Sequence, residues 1–192
     1  MLEDKMLDFL TAWTRDRADE SGAYEYYSDR LGRGITVAAY EKALLGIVVA
    51  LKPSRVVHAG IGFGSLDALL EEAGIRVIGY ELDKRRAETA LAMRDVLGMK
   101  YEIRPVAFPD GTEGRGGTLI FTNVGAGWDD AAQRRIVAAF KSFDTVLLDL
   151  RLFGRVREEA DRAKLAASLK KIGKVEPIET VGGAYYVKVS PR

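Results

Sequence analysis

Gly60, Gly62 and Gly64 stand at alternate positions in the stretch VVHAGIGFGS, residues 56–65, where a β-branched run gives way to a helix-forming segment. A backbone free of side chains at such a turn lets a ligand come close, and the first turn of the following helix offers amide hydrogens without intrahelical partners. Glu81 ends the next β-branched run, IRVIGYEL, about 20 residues beyond the first glycine. A carboxylate at that place can accept hydrogen bonds from both hydroxyls of a ribose. Loop and acid together point to a nucleoside-containing ligand. The dinucleotide pattern GxGxxG, set on Gly60 and Gly62, requires glycine at position 65, where the chain has Ser65. The observed spacing is GxGxG, which argues against an NAD-dependent oxidoreductase.

Other chemistry is bounded by what the composition lacks. The chain has no cysteine and a single histidine, His58. Disulfides, thiolate zinc sites and thiol nucleophiles are thereby excluded, and no metal centre is expected. Among 192 residues, 47% are hydrophobic and 30% charged, with a formal net charge of +1. That balance gives no nucleic-acid or membrane-surface signal. The longest apolar run, ALLGIVVAL at 43–51, is far short of the roughly 20 residues that span a bilayer. The start, MLEDKMLDFLTAW, mixes acids into its apolar pattern and lacks the basic-then-apolar order of a secretory signal, so a cytoplasmic location is expected.

The elements that must position the loop follow from periodicity. One domain is expected over 1–192, with a helical N-terminal extension over 1–52 and an α/β core over 53–192. A helix is predicted over about 3–19, then an aromatic, glycine-bearing loop or lid over 20–34, then a helix from Thr36, as its N-cap, to Leu51 before Pro53. From residue 55 short β-branched runs alternate with helical patterns, the signature of βαβ units around a parallel sheet. RVVHAG, IRVIGYEL, KYEIRPV, TLIFTNV and DTVLLDL read as five strands, and AFPDGTEGRGG is too short and glycine-rich for a crossover helix. Asp83 is placed to cap the helix KRRAETALAMRDVLG and Gly98 to end it. The ending, VEPIETVGGAYYVKVS, reads as two strands joined by a tight turn at Gly182 and Gly183, which adds an antiparallel hairpin.

The GxGxG turn in its strand-helix setting, Glu81 and the closing hairpin resemble the class I S-adenosylmethionine-dependent methyltransferases. The resemblance covers element order over roughly 35–190 and motif detail over 55–83. It implies a Rossmann-like doubly wound sheet of about seven strands in the order 3-2-1-4-5-7-6, with strand 7 antiparallel. By the same analogy S-adenosylmethionine is the cofactor, with Gly60, Gly62 and Gly64 near its methionine part, Glu81 on its ribose and Leu82 against the adenine. Asp110, beside Phe108 in AFPDG, is the nearest match to an acid that often bonds the adenine amino group, although PDG is equally an ordinary turn. The chain departs from the family at His58, where members usually carry an acid that helps place the cofactor's ammonium group. A neutral imidazole still accepts a hydrogen bond, whereas a charged one repels the ammonium. A histidine so near a strand end also serves simply to bond a neighbouring loop.

The resemblance makes methyl transfer to a small molecule or a protein the expected function, with the acceptor unspecified. The end of the fourth strand, FTNVGAGW, lacks the NPPY-like pattern associated with amino-methylation and offers Asn123 and Trp128 at the rim. Asp149 and Arg151 face the same rim, and none of these is assigned as a base. Tyr24, Tyr26 and Tyr27, with Arg30 and Arg33, either close over the cofactor or anchor the N-terminal helices to the core. An alternative reading is a non-catalytic protein that keeps the fold as a binding or regulatory module.

Overall fold

Val56–Ala59, Val77–Tyr80 and Thr118–Phe121 are buried along their whole length, as strands covered on both faces must be. The computed structural model describes residues 1–17, 22–112, 114–122, 124, 130–150, 159–181 and 185–192. Seven strands form one sheet: β1 (Val56–Ala59), β2 (Val77–Tyr80), β3 (Glu102–Arg104), β4 (Thr118–Phe121), β5 (Thr145–Asp149), β6 (Gly173–Pro177) and β7 (Tyr186–Pro191). Their order is β3-β2-β1-β4-β5-β7-β6. The first five are parallel, and β7 runs antiparallel to both β5 and β6. In register, His58 of β1 lies between Gly79 of β2 and Ile120 of β4.

Helices cover both faces. Helices α1 (Leu2–Arg15), α2 (Gly22–Gly32), α3 (Ala39–Leu51), α4 (Ser65–Glu72) and α5 (Lys84–Val96) contribute to one core, which reaches the sheet through Val56, Ile120 and Leu147. Helices α6 (Asp130–Ala139) and α7 (Glu159–Lys170) contribute to the other, against Val57, Leu119, Val146 and Leu148. Alternate residues of one strand thus serve opposite layers. No helix among the described residues is long and apolar enough to cross a membrane.

Three local expectations are corrected. The aromatic segment over 20–34 is not a loop but contains α2, because Tyr24, Tyr27 and Leu31 fall on one face at helical spacing and bury there. Tertiary burial outweighs the two flanking glycines and the weak amphipathic pattern. Thr36 is not the cap of the next helix; α3 starts at Ala39, and the Glu41 carboxylate reaches back to the Ala38 N–H at 2.5 Å. Thr36 is instead buried, its carbonyl accepting from Arg30 at 3.2 Å. The closing hairpin is not a two-residue turn. Strand β6 stops at Pro177, a 3-10 turn follows over Glu179–Val181, and β7 resumes at Tyr186. Gly182 and Gly183 lie outside the described residues.

Two helix-boundary expectations hold. The Asp83 carboxylate accepts from the N–H groups of Arg85 and Arg86 at 3.0 and 3.1 Å. Gly98 follows α5 with a φ of 68°, the left-handed conformation that ends helices.

Candidate functional site

The glycine loop leaves β1 at the tip of the sheet, where the strand order reverses between β1 and β4. The N–H groups of Gly60 and Ile61 both donate to the Tyr80 carbonyl, at 2.8 and 3.1 Å, which ties the loop to the end of β2. Gly60 and Gly62 take φ values of 76° and 59°, a region that side chains disfavour. The Gly62 N–H donates to Glu81 Oε2 at 2.8 Å, and the Asp83 N–H donates to Oε1 at 2.9 Å. Glu81 therefore clamps the loop with one oxygen and the start of α5 with the other. Burial pushes its carboxyl above the usual range, while the two backbone donors and Arg86 pull the other way. Each oxygen keeps a second lone pair for a ligand hydroxyl.

Beyond that clamp lies a pocket bordered by Gly60, Glu81, Leu82, Val106, Phe108 and Val124. Its cavity volume of about 90 Å³ is below the about 300–1,000 Å³ typical of small-molecule sites, so it is a shallow, open pocket. Leu82 borders it with 71% of its surface exposed, a large apolar side chain held at the mouth. Phe108 packs edge-on to Tyr80 with ring centroids 5.6 Å apart and is 8% exposed. The walls are apolar and aromatic, with one carboxylate at the edge. That lining suits a flat apolar ring joined to a group whose hydroxyls donate to the carboxylate.

The remaining expected residues are placed differently. Asp110 sits in the turn after Phe108, its N–H bonded to the Ala107 carbonyl at 2.8 Å. It is not among the residues bordering the pocket, and its carboxylate lies 3.4 Å from Arg135 of α6 on the surface. Gly64 starts α4 and turns inward, where a Cβ would lie 2.9 Å from the Tyr101 hydroxyl. Asp149 is buried at the end of β5. Asn123, Trp128 and Arg151 lie outside the described residues, as does the side chain of Tyr26.

The protein's own side chains lie on the rest of the loop. A Cβ on Gly60 would come 2.6 Å from Val124 Cγ2, and one on Gly62 would overlap the Tyr27 hydroxyl. The Tyr27 ring stacks on Phe63 with centroids 3.7 Å apart. Tyr27 thus covers the loop at Gly62, while Val124 lies against Gly60 and borders the pocket.

His58 is not among the residues that border the pocket. Its Nδ1 lies 3.0 Å from Asp67 Oδ2 of α4, with both side chains buried. Burial disfavours the imidazolium, but the Asp67 carboxylate outweighs this and raises the His58 pKa above its ordinary value. An acid from the helix that follows thus pairs with the base at position 58. Sequence reading missed Asp67, which sits among Leu66, Leu69 and Leu70 on a helix whose residues 65–70 are all buried. An acid inside that apolar face was the available signal.

The strand order and the reversed seventh strand define the fold of the class I S-adenosylmethionine-dependent methyltransferases. Solved structures agree at low identity. A TehB-like S-adenosylmethionine-dependent methyltransferase from Corynebacterium glutamicum matches 94% of this chain and 99% of its own at 14% identity, with a TM-score of 0.61. The magnesium protoporphyrin IX methyltransferase of Synechocystis PCC 6803, solved with its cofactor bound, matches 100% and 98% at 17% identity, with a TM-score of 0.61. A 16S rRNA methyltransferase of T. thermophilus, solved with AdoMet and guanosine, matches 83% of this chain and 44% of its own at 19% identity, with a TM-score of 0.57. No protein-family model matches the chain, and no curated protein matches it.

Proposed function

We propose that the protein binds S-adenosylmethionine and transfers its methyl group to a small-molecule or protein acceptor in the cytoplasm. The observation that carries this reading is the pocket at the ends of β1, β2 and β4, with Glu81 at its edge and Leu82 and Phe108 on its walls. Glu81 would receive the ribose hydroxyls on the lone pairs its backbone donors leave, and the apolar walls would take the adenine. Gly60 borders the same pocket, and Gly62 fixes the Glu81 carboxylate through its N–H. When bound, the cofactor supplies a sulfonium whose methyl carbon an acceptor's lone pair attacks as the S–C bond breaks, leaving a neutral thioether. Acceptors of the neighbours named above range from a porphyrin to ribosomal RNA, so the fold does not select one.

Calorimetric titration with S-adenosylmethionine and its demethylated product tests the reading. Micromolar binding that weakens at least about tenfold in Glu81→Ala is expected, a loss of about 1.4 kcal/mol. Absence of binding by the wild-type protein to both compounds would remove it. A second reading, a binding or regulatory module without transfer, is favoured by Tyr27 and Val124 lying on the glycine loop. Retained cofactor binding with no methyl transfer to a broad acceptor panel would select it.

A further inference from the structure

Pocket and glycine loop divide at Gly60. On one side the bordering residues are Gly60, Glu81 and the apolar walls; Gly62, Phe63 and Tyr27 are not among them. On the other side the Tyr27 hydroxyl rests against the Gly62 backbone and its ring against Phe63. A glycine with φ of 59° whose missing Cβ is replaced by a hydroxyl from another helix is a close approach built by α2.

The charge around that hydroxyl is mixed. The Arg30 guanidinium lies 5.6 Å from the centre of the Tyr27 ring, Glu81 holds the Gly62 N–H at 2.8 Å, and Arg30 and Arg86 each bury an Nε that has no hydrogen-bond partner. Burial raises the Tyr27 pKa, so the phenol stays neutral among them. Guanidinium N–H groups left unpartnered and a carboxylate beside the same glycine suit a zwitterion, which presents a carboxylate and an ammonium together.

We infer that Tyr27 occupies the seat of the amino-acid tail of an adenosyl ligand: the protein takes adenosine into its open pocket directly, and a ligand extended at the 5′ carbon by an amino acid only as Tyr27 leaves Gly62 and Phe63. This rests on the function proposed above. The stack holds because α2 is anchored from three sides. The Tyr24 hydroxyl lies 3.5 Å from Thr89 Oγ1 of α5, Arg30 bonds Glu41 of α3 at 2.9 Å, and Tyr24 packs on Phe63 with centroids 5.9 Å apart. Displacing Tyr27 lowers the apparent affinity for the longer ligand by the fraction of molecules already open, and leaves adenosine unaffected.

Titrations of wild type, Tyr27→Ala and Tyr27→Phe with adenosine and with S-adenosylhomocysteine test the inference. Tyr27→Ala is expected to tighten S-adenosylhomocysteine binding about tenfold or more while adenosine stays within about twofold. Tyr27→Phe keeps the stack and should move both affinities little. In the wild-type protein, amide hydrogen exchange over 22–32 should rise on adding S-adenosylhomocysteine and not on adding adenosine. Equal effects of Tyr27→Ala on both ligands, or weaker S-adenosylhomocysteine binding alone, overturn the inference and leave the cofactor assignment standing. Unchanged exchange in wild type saturated with S-adenosylhomocysteine overturns it as well, with no dependence on how a variant folds. If neither compound binds any form, the proposed function and the inference fall together.

Discussion

His58 Nδ1 stands 3.0 Å from Asp67 Oδ2, joining the central strand to helix α4 through a buried pair. Asp67, helped by Glu41 and Glu81, holds the imidazole pKa above its ordinary 6.5 despite burial. The folded protein therefore binds this proton more tightly than the unfolded chain. The pair's contribution is complete below the unfolded value and is lost as pH rises through the folded one. Comparing urea unfolding of wild type and His58→Gln across pH should show the wild-type advantage shrinking above about pH 6.5. An advantage that is flat or grows with pH would contradict the pairing.

Gly79 lies directly across from His58 in the sheet, and it makes room for that pair. A Cβ there would sit 2.7 Å from Ile61 Cγ2 and 3.4 Å from Asp67 Oδ1. Ile61 belongs to the glycine loop, so crowding at Gly79 pushes on the site from beneath. Gly79→Ala should cost about 1–3 kcal/mol, as overpacking of cores does. For a chain of this size that lowers the Tm by about 2–12 °C in a calorimetric scan. An unchanged Tm would show that the loop yields without strain.

Leu82 separates binding from folding. It is 71% exposed and borders the pocket, so truncation removes little buried area but strips one wall from the mouth. Leu82→Ala should leave stability within about 0.5 kcal/mol, the usual scale for surface changes. Adenosine affinity should fall by about three- to tenfold, because the bound base then leaves more of its apolar face in water. Equal adenosine affinity in the variant would place the ligand elsewhere.

Arg30 and Glu41 form a pair whose side chains are 11% and 15% exposed, and it fastens α2 to the start of α3. Removing one partner strands the other charge in the interior. Arg30→Met should destabilise by about 3 kcal/mol. Adding Glu41→Gln to that variant should cost less than Glu41→Gln alone, because the stranded carboxylate is gone while an oxygen remains for the Ala38 N–H. Additive losses in chemical denaturation would mean the two residues act separately.

The sheet is legible in the sequence because its information is local. Val56-Val57, Val77-Ile78 and Val146-Leu148 are short apolar runs bounded by turn residues, and alternation with helical periods forces parallel pairing. Asp83 as a cap and Gly98 as a terminator act within a few residues of themselves, so composition reveals them. Helix α2 is not legible there, since its propensity is poor and its stability comes from Tyr24 and Leu31 reaching a core built by distant segments. Gly182 and Gly183 mislead because a glycine pair signals a turn without saying how many residues the connection needs.

What the sequence determined alone is a turn with glycines at alternate positions, followed by a helix and facing an acid on the next strand. Only the tertiary structure decided what stands against that turn. Tyr27 comes from α2, Val124 follows β4, and Asp67 reaches His58 from α4, each meeting its partner through packing between elements. Spacing along a chain encodes which backbone conformations and periods are available. It does not encode which side chain from a remote helix fills the space that a glycine leaves, because that neighbour is fixed by the packing of whole elements against one another.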